Sequence, residues 1–258
     1  MTTMDEIRRL YDQRQRIEIE YPGERREVTP RVIRLIDEAN QRGTLIYSWL
    51  DQTNADETIR AEVEYFQRLG LADNFEWKLF DYDQPADLKD RLVAHGFVPE
   101  APDAVLILDL EAIPAQLLQP VTHDVRRITD PAGLADVSSV HRVVWNEEQW
   151  YVNWLASMLR DHPDGMSMYV AYVDGVPASS ARIDFPEQSE FAGLWGGSTL
   201  PEYRQRGLYT ALVAIRAQEA IQRGYRYLTI DASPMSRAVL EKFGFQFMAY
   251  AYECNYRG

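Results

Sequence analysis

Residues 191–223 read FAGLWGGSTLPEYRQRGLYTALVAIRAQEAIQR. This is an apolar strand with a glycine pair, then an arginine-rich turn, then a long helix. The turn, Arg204-Gln205-Arg206-Gly207-Leu208-Tyr209, narrows what the chain can become. Gly207 stands at the expected helix start, where a missing Cβ lets backbone approach a bulky anion. The first helical turn has unpaired N–H groups at the positive end of the helix dipole, which suits a phosphate. Arg204 and Arg206 flank that seat and can pair with phosphate oxygens. Gly196-Gly197 would only weaken a strand interior unless it marks a bulge or a bend. The bland alternative is a plain strand-to-helix turn with solvated arginines.

The elements around this stretch follow a definite order. Residues 124–129 suit a strand, 131–145 and 147–160 two helices, and 168–173 with 176–185 a hairpin turned at Asp174-Gly175. After the central strand and helix come a strand at 225–232, a helix at 235–243 and a strand at 246–256. With that order, Arg204-x-x-Gly207-x-Tyr209 resembles the Q/R-x-x-G-x-G/A signature of the GNAT superfamily, the acyl-CoA-dependent N-acyltransferases. Pro201 before the loop and Ala211-Leu212 in the helix are also usual there. Tyr209 departs from the family's Gly or Ala.

The resemblance implies an α+β fold, an α/β/α sandwich around a mixed, mostly antiparallel sheet. It implies acetyl-CoA as co-substrate and a primary amine as acceptor, with no metal. The loop 204–209, that is Arg204, Gln205, Arg206, Gly207, Leu208 and Tyr209, would hold the pyrophosphate. Backbone of Ser198, Thr199 and Leu200 would pair with the pantetheine arm, and Ser233 matches the family's asparagine contact to that arm.

The first half echoes the second. A strand at 75–80, a helix ending His95-Gly96-Phe97 and a strand at 104–110 parallel 225–232, the helix ending Phe243-Gly244-Phe245, and 246–256. Upstream, a strand at 44–50 and a helix at 56–69 match the central strand and helix. A repeated unit of this size suggests two copies of one fold; plain α/β alternation is the alternative. Thr29-Pro30 reads as a helix start, with Val32, Ile33, Leu35, Ile36 and Ala39 as its stripe and Gly43 past its end. On that reading the first copy lacks the early strands. Its loop 51–58 has no glycine or arginine and carries three acids, which would repel pyrophosphate. We therefore expect a degenerate, CoA-free domain at 1–112, a linker at 113–122 and a catalytic GNAT domain at 123–258.

Acyl transfer from a thioester to an amine needs a deprotonated amine, a donor for the oxyanion and an acid for the thiolate. The family's usual acid is a tyrosine, and that position is Leu240 here. Residues 192–200 hold no carboxylate. Asp231 ends the next strand and is the best-placed base, directly or through water; an aspartate before Ala-Ser-Pro also suits a turn cap. Trp145, Glu147, Glu148 and Trp150, with Tyr151 and Trp154, fall in the helices that line the acceptor side in the family. Acid with aromatic suits a cationic amine, and aromatics also fill cores. His141 is a second candidate base.

Composition bounds the partners. The 258 residues carry a net charge of −13, with −10 in residues 1–119 (14 basic against 24 acidic) and −3 in 120–258 (13 against 16). An acidic chain argues against nucleic acid. The most apolar run, 104–108, is far short of the ~20 residues of a span, so neither membrane nor signal peptide is expected and the cytoplasm is the simplest location. A single cysteine, Cys254, excludes an internal disulfide and a cysteine metal cluster. The expected partner is a small-molecule or peptide amine, and the expected state a monomer or homodimer. The alternatives to an enzyme are a non-catalytic acyl-CoA-binding sensor and a general nucleotide-phosphate seat.

Overall fold

The computed structural model describes residues 2–145 and 149–258. The first half runs α1 (Met4–Tyr11), β1 (Arg25–Val28), β2 (Val32–Asp37), β3 (Arg42–Ser48), α2 (Ala55–Arg68), β4 (Phe75–Phe80), α3 (Leu88–Ala94), β5 (Phe97–Pro99) and β6 (Asp103–Asp109). The second runs β7 (Asp124–Ile128), α4 (Leu134–Trp145), α5 (Gln149–Asp161), β8 (Met166–Val173), β9 (Val176–Asp184), β10 (Phe191–Thr199), α6 (Leu208–Gln222), β11 (Tyr227–Ala232), α7 (Pro234–Leu240) and β12 (Gln246–Tyr256). Every element expected after residue 123 is present and in the expected order.

The chain folds as two compact units. One comprises Met1–Val105, Ala232–Arg237 and Phe247–Gly258, the other Leu106–Asp231 and Ala238–Gln246. The first unit's strands pair in the order β1-β2-β3-β4-β12 with β5 on β12, all antiparallel except β3 with β4. The last strand, expected with the catalytic half, thus sits in the first unit. Cys254 of β12 lies opposite Trp77 and Pro99, and Cys254 and Tyr256 join Leu45, Phe66, Phe75, Trp77 and Phe97 in one buried cluster.

The helix expected from Pro30 is instead the β2–β3 hairpin. Val32 and Ile36 enter the cluster on one side of the sheet, while Ile33 and Leu35 join Ile19 and Ile46 on the other. Apolar doublets on a strand buried on both faces mimic a helical stripe, so periodicity alone cannot separate the two. The Thr29 hydroxyl accepts the N–H groups of Arg31 and Val32 (3.2 and 2.9 Å), a local turn competing with a helix cap. The first copy therefore has early strands, β1 and β2, that the sequence reading denied it.

The second unit's sheet runs β7-β8-β9-β10 antiparallel and then β11 parallel to β10. Helices α4 and α5 bury Leu134, Val137, Leu155 and Leu159 against Met166, Met168 and Val170 of β8. Helix α6 buries Leu208, Ala211, Leu212, Val213 and Ala217. Both units share one departure from a regular sheet. The parallel pair β3–β4 registers only from Gly43↔Phe75 to Leu45↔Trp77, and β10–β11 only from Phe191↔Tyr227 to Gly193↔Thr229. In each, the strands run on without pairing, leaving a splay at their C-terminal ends.

Candidate active site

In the second unit the splay coincides with a bulge. The β9–β10 register shifts between Trp195 and Ser198, and Gly196 there has φ +59°, a left-handed conformation open to glycine. Beyond the bulge the Leu200 N–H bonds the Ala178 carbonyl of β9 (3.0 Å), and the Ser198 carbonyl accepts the Ser179 hydroxyl (2.6 Å). By strand alternation Thr199 turns its own N–H and C=O to the opposite edge, where β11 has diverged. Two buried hydroxyls near this region, Ser180 opposite Ser198 and Thr229 at the last parallel pair, have no hydrogen-bond partner among the described residues.

The backbone of the loop after β10 has the shape expected of an anion seat. A short 3-10 turn, Pro201–Tyr203, is followed by extended Arg204, left-handed Gln205 (φ +60°), Arg206 and left-handed Gly207 (φ +78°). Alternating hands in successive residues turn N–H groups into a concavity. Helix α6 begins at Leu208 with no capping side chain and no acid in its first turn, so its dipole end stays open to an anion. Arg204 holds the Thr199 carbonyl (Nε to O, 3.3 Å), and the exposed Arg206 lies over the Tyr203 ring (5.3 Å).

Two supports of this loop were not legible in the sequence. The Nε2–H of His123 donates to the Arg206 carbonyl (3.0 Å), and a Cβ at position 207 would meet the His123 ring at 3.4 Å. Gly207 is thus required for its backbone angle; ordinary space exists for a side chain. The unusual Tyr209 also finds its reason. A Cβ at position 197 would stand 3.1 Å from its ring, so glycine on the strand makes room for tyrosine on the helix. Burial pushes the Tyr209 hydroxyl above its ordinary pKa, opposed by the buried Arg216.

On α4 and α5 an aromatic group surrounds the bulge. His141, buried, donates Nε2–H to the Gly196 carbonyl (3.1 Å) and stacks on Tyr151 (6.0 Å), which stacks on Trp154 (5.8 Å). Arg182 of β9 pairs with Asp184 (2.8 Å), donates to the Tyr151 hydroxyl (2.8 Å) and lies over Trp154 (4.7 Å). Burial pushes the Asp184 carboxyl up, and Arg182 opposes this. Tyr151 and Trp154 therefore hold the chain's own guanidinium. Trp145 and Trp150 remain exposed, at 60% and 43%; Glu147 and Glu148 lie outside the described residues.

Asp231 is half-buried on β11, on the same strand face as Thr229 by alternation. Ser233 counts with the first unit, where it caps α7 through the Ser236 N–H (3.4 Å). Leu240 is fully buried. Among the described residues no His, Cys, Asp and Glu group has metal-site geometry, and no helix is long and apolar enough to cross a membrane.

Residues 132–245 match the sequence model of the Acetyltransferase (GNAT) family. Over those residues the chain carries a GNAT acetyltransferase domain. The family's chemistry is acyl transfer, and the matched residues include the bulge and the loop. The GNAT match stops at Phe245, one residue before β12. No curated protein matches the chain by sequence at a significant level. Among solved structures it is similar to a GCN5-related N-acetyltransferase from Kribbella flavida (TM-score 0.70, 16% identity, 97% of this chain and 95% of that one). A functionally unknown conserved protein from Staphylococcus epidermidis gives a TM-score of 0.68 at 12% identity over 92% and 96%. A tandem GNAT protein from the clavulanic acid biosynthesis pathway gives 0.58 at 14% over 93% and 86%. At these identities the likeness is one of fold, and it extends over both halves.

Proposed function

We propose that this GNAT enzyme moves an acetyl group from acetyl-CoA to a primary amine in one direct attack. The observation that carries the reading is the uncapped N-terminus of α6, entered through left-handed Gln205 and Gly207 and flanked by Arg204 and Arg206. The pyrophosphate would sit on residues 204–209. The pantetheine arm would follow the edge of β10 presented by Thr199, between Ser198 and Leu200, with Ser233 as a further contact. In this reading 123–258 is the catalytic domain, 113–122 the linker, and 1–112 a domain that binds no CoA.

The amine nitrogen attacks the thioester carbonyl carbon, the C–N bond forms, and the C–S bond breaks with its electron pair leaving on sulfur. Leu240 offers no proton, so the thiolate takes one from water; a thiol pKa of about 8.5 makes that departure easy. The proton lost by the amine goes to Asp231 or to water. Trp145, Trp150, Glu147 and Glu148 would receive the acceptor, and no step as written uses a metal.

The test is acetyl-CoA turnover against a panel of amines, with acetylated products read by mass spectrometry. Asp231→Asn keeps the shape and removes the base. A large fall in turnover with CoA binding intact assigns the proton to Asp231, while little change assigns it to water. With either route, rate should climb with pH into the alkaline range. A bell with a limb near pH 6.5 would instead point to His141. ATP displacing CoA on equal terms would reduce the loop to a general phosphate seat. CoA binding without turnover of any amine would leave a sensor.

A further inference from the structure

The first unit keeps the splay but furnishes it differently. Beyond Leu45 and Trp77 the strands β3 and β4 part, and a cleft of about 410 Å³ opens at their C-terminal ends. It is lined by Asp12, Tyr47, Ser48, Trp49, Asp51 and Asp83, with Leu50, Tyr82 and Gln84 completing the wall. That volume is within the usual range of small-molecule sites.

The floor is built from charges. Arg16, fully buried, donates Nε–H to the Ile46 carbonyl of β3 (3.1 Å) and reaches Asp83 just past β4 with two bonds (2.9 and 2.7 Å). It also bonds Asp12 Oδ1 (2.9 Å), which accepts the Tyr82 hydroxyl as well (2.8 Å). The chain's own guanidinium thus spans the gap between the strands. The anion seat of this half is closed too: Asp51 Oδ1 accepts the N–H groups of Thr53 and Asn54 (2.7 and 3.1 Å) ahead of α2. A carboxylate from the chain holds the loop donors that a phosphate would need.

What is left open has the opposite sign. Asp12 and Asp83 share the Arg16 guanidinium, and Asp51, with Arg31 near it, adds a third carboxylate to the lining, so acids outnumber bases there. The Arg16 and Tyr82 bonds to Asp12 both go to Oδ1, and the Ser48 hydroxyl oxygen is buried with no partner among the described residues. Trp49, 42% exposed, stands edge-on to Tyr47 (5.1 Å) and offers an aromatic wall. A primary ammonium has three N–H donors and no acceptor, which matches a carboxylate oxygen and a lone hydroxyl. An attached apolar body would pack on Trp49, and the charge would gain from its ring.

We infer that this cleft is a second binding site, specific for a small organic ammonium ion with an apolar body, standing where the other half has its splayed strands. The inference does not depend on what the second unit binds.

The probe is phenethylammonium, titrated into the full chain at fixed ionic strength. The readout is the Trp49 indole N–H resonance, assigned by its loss in Trp49→Phe. The neutral 2-phenylethanol and the anion phenylacetate are the controls. A saturable shift with the cation, weaker by about tenfold or more with the alcohol and absent with the anion, is the expected result. Trp49→Ala, at an exposed ring, should weaken the cation about fivefold by calorimetry. Ser48→Ala and Asp12→Asn should weaken it further, and if Asp12→Asn unfolds, the other two decide. An unmoved Trp49 resonance, equal response to alcohol and cation, or unchanged affinity in both Trp49→Ala and Ser48→Ala would overturn the assignment.

Discussion

Substitution of Gly207 separates two reasons a glycine can stand in a phosphate loop. If the anion must touch bare backbone, any side chain harms binding. If the glycine is there for its left-handed φ of +78°, a residue that tolerates that angle should serve. The position favours the second, because a Cβ would point to the His123 ring at an ordinary 3.4 Å. An L-residue in that conformation costs roughly 1–2 kcal/mol. Alanine also restricts the unfolded chain, which offsets about 0.4–1 kcal/mol. Gly207→Ala should therefore destabilise by about 1 kcal/mol, a fall in Tm of about 2–4 °C for a chain of this length. Gly207→Val should cost more. Strain is relieved by moving the loop, and the first-turn donors move with it. CoA affinity should fall about 10- to 100-fold, the worth of one charge-assisted contact. Gly207→Asn should keep both stability and affinity near wild type, since asparagine visits this region at small cost. Thermal unfolding and calorimetric CoA titration of the three variants read the two quantities separately. If Asn loses affinity as fully as Ala while remaining stable, close approach is what matters and the conformational argument is refuted.

The exposed Arg206→Ala should raise the CoA dissociation constant about 10- to 100-fold and flatten its dependence on salt; unchanged affinity would remove Arg206 from the seat. His123→Ala deletes the bond to the Arg206 carbonyl, so CoA should bind about 2- to 10-fold more weakly with little change in Tm. In the first unit, burial and then the neighbouring Asp37 push the Glu24 carboxyl up to about 7, with Arg42 opposing. Its folded pKa lies above its unfolded value, so its contribution is complete below about pH 4.5 and is lost as pH rises through 7. Glu24→Gln should accordingly gain on wild type by about 1–2 kcal/mol between pH 5 and pH 8 in chemical unfolding, after allowance for partial exposure; a difference that ignores pH would show that Glu24 titrates normally.

The loop and the order of elements after residue 123 were legible because their signals are local. A glycine pair, a proline and a glycine just after two arginines state backbone requirements that hold whatever packs around them. The repeat was legible because strand–helix–Gly-Phe recurs at similar spacing. Residues 30–42 misled because Val32-Ile33 and Leu35-Ile36 satisfy a helix face and a doubly buried strand equally well. Which of these wins depends on Leu45 and Ile46 arriving on the two sides.

Legible from residue order alone were the strand–loop–helix with its glycines and arginines and a chain that repeats one plan twice. Tertiary structure alone decided which residues meet around them. The role of His123 follows from a bond spanning 83 positions, and the pairing of Tyr209 with Gly197 from a strand meeting a helix. Arg182 claims Tyr151 and Trp154 across 31 and 28 positions, so the ring cluster meant for a guest holds a residue of the chain. Cys254 is buried beside Trp77 because the final strand joins the first unit's sheet. Each of these is a contact between segments distant in the chain, formed only when burial of apolar faces brings them together. Composition and spacing carry information about one segment at a time, and so could not register them.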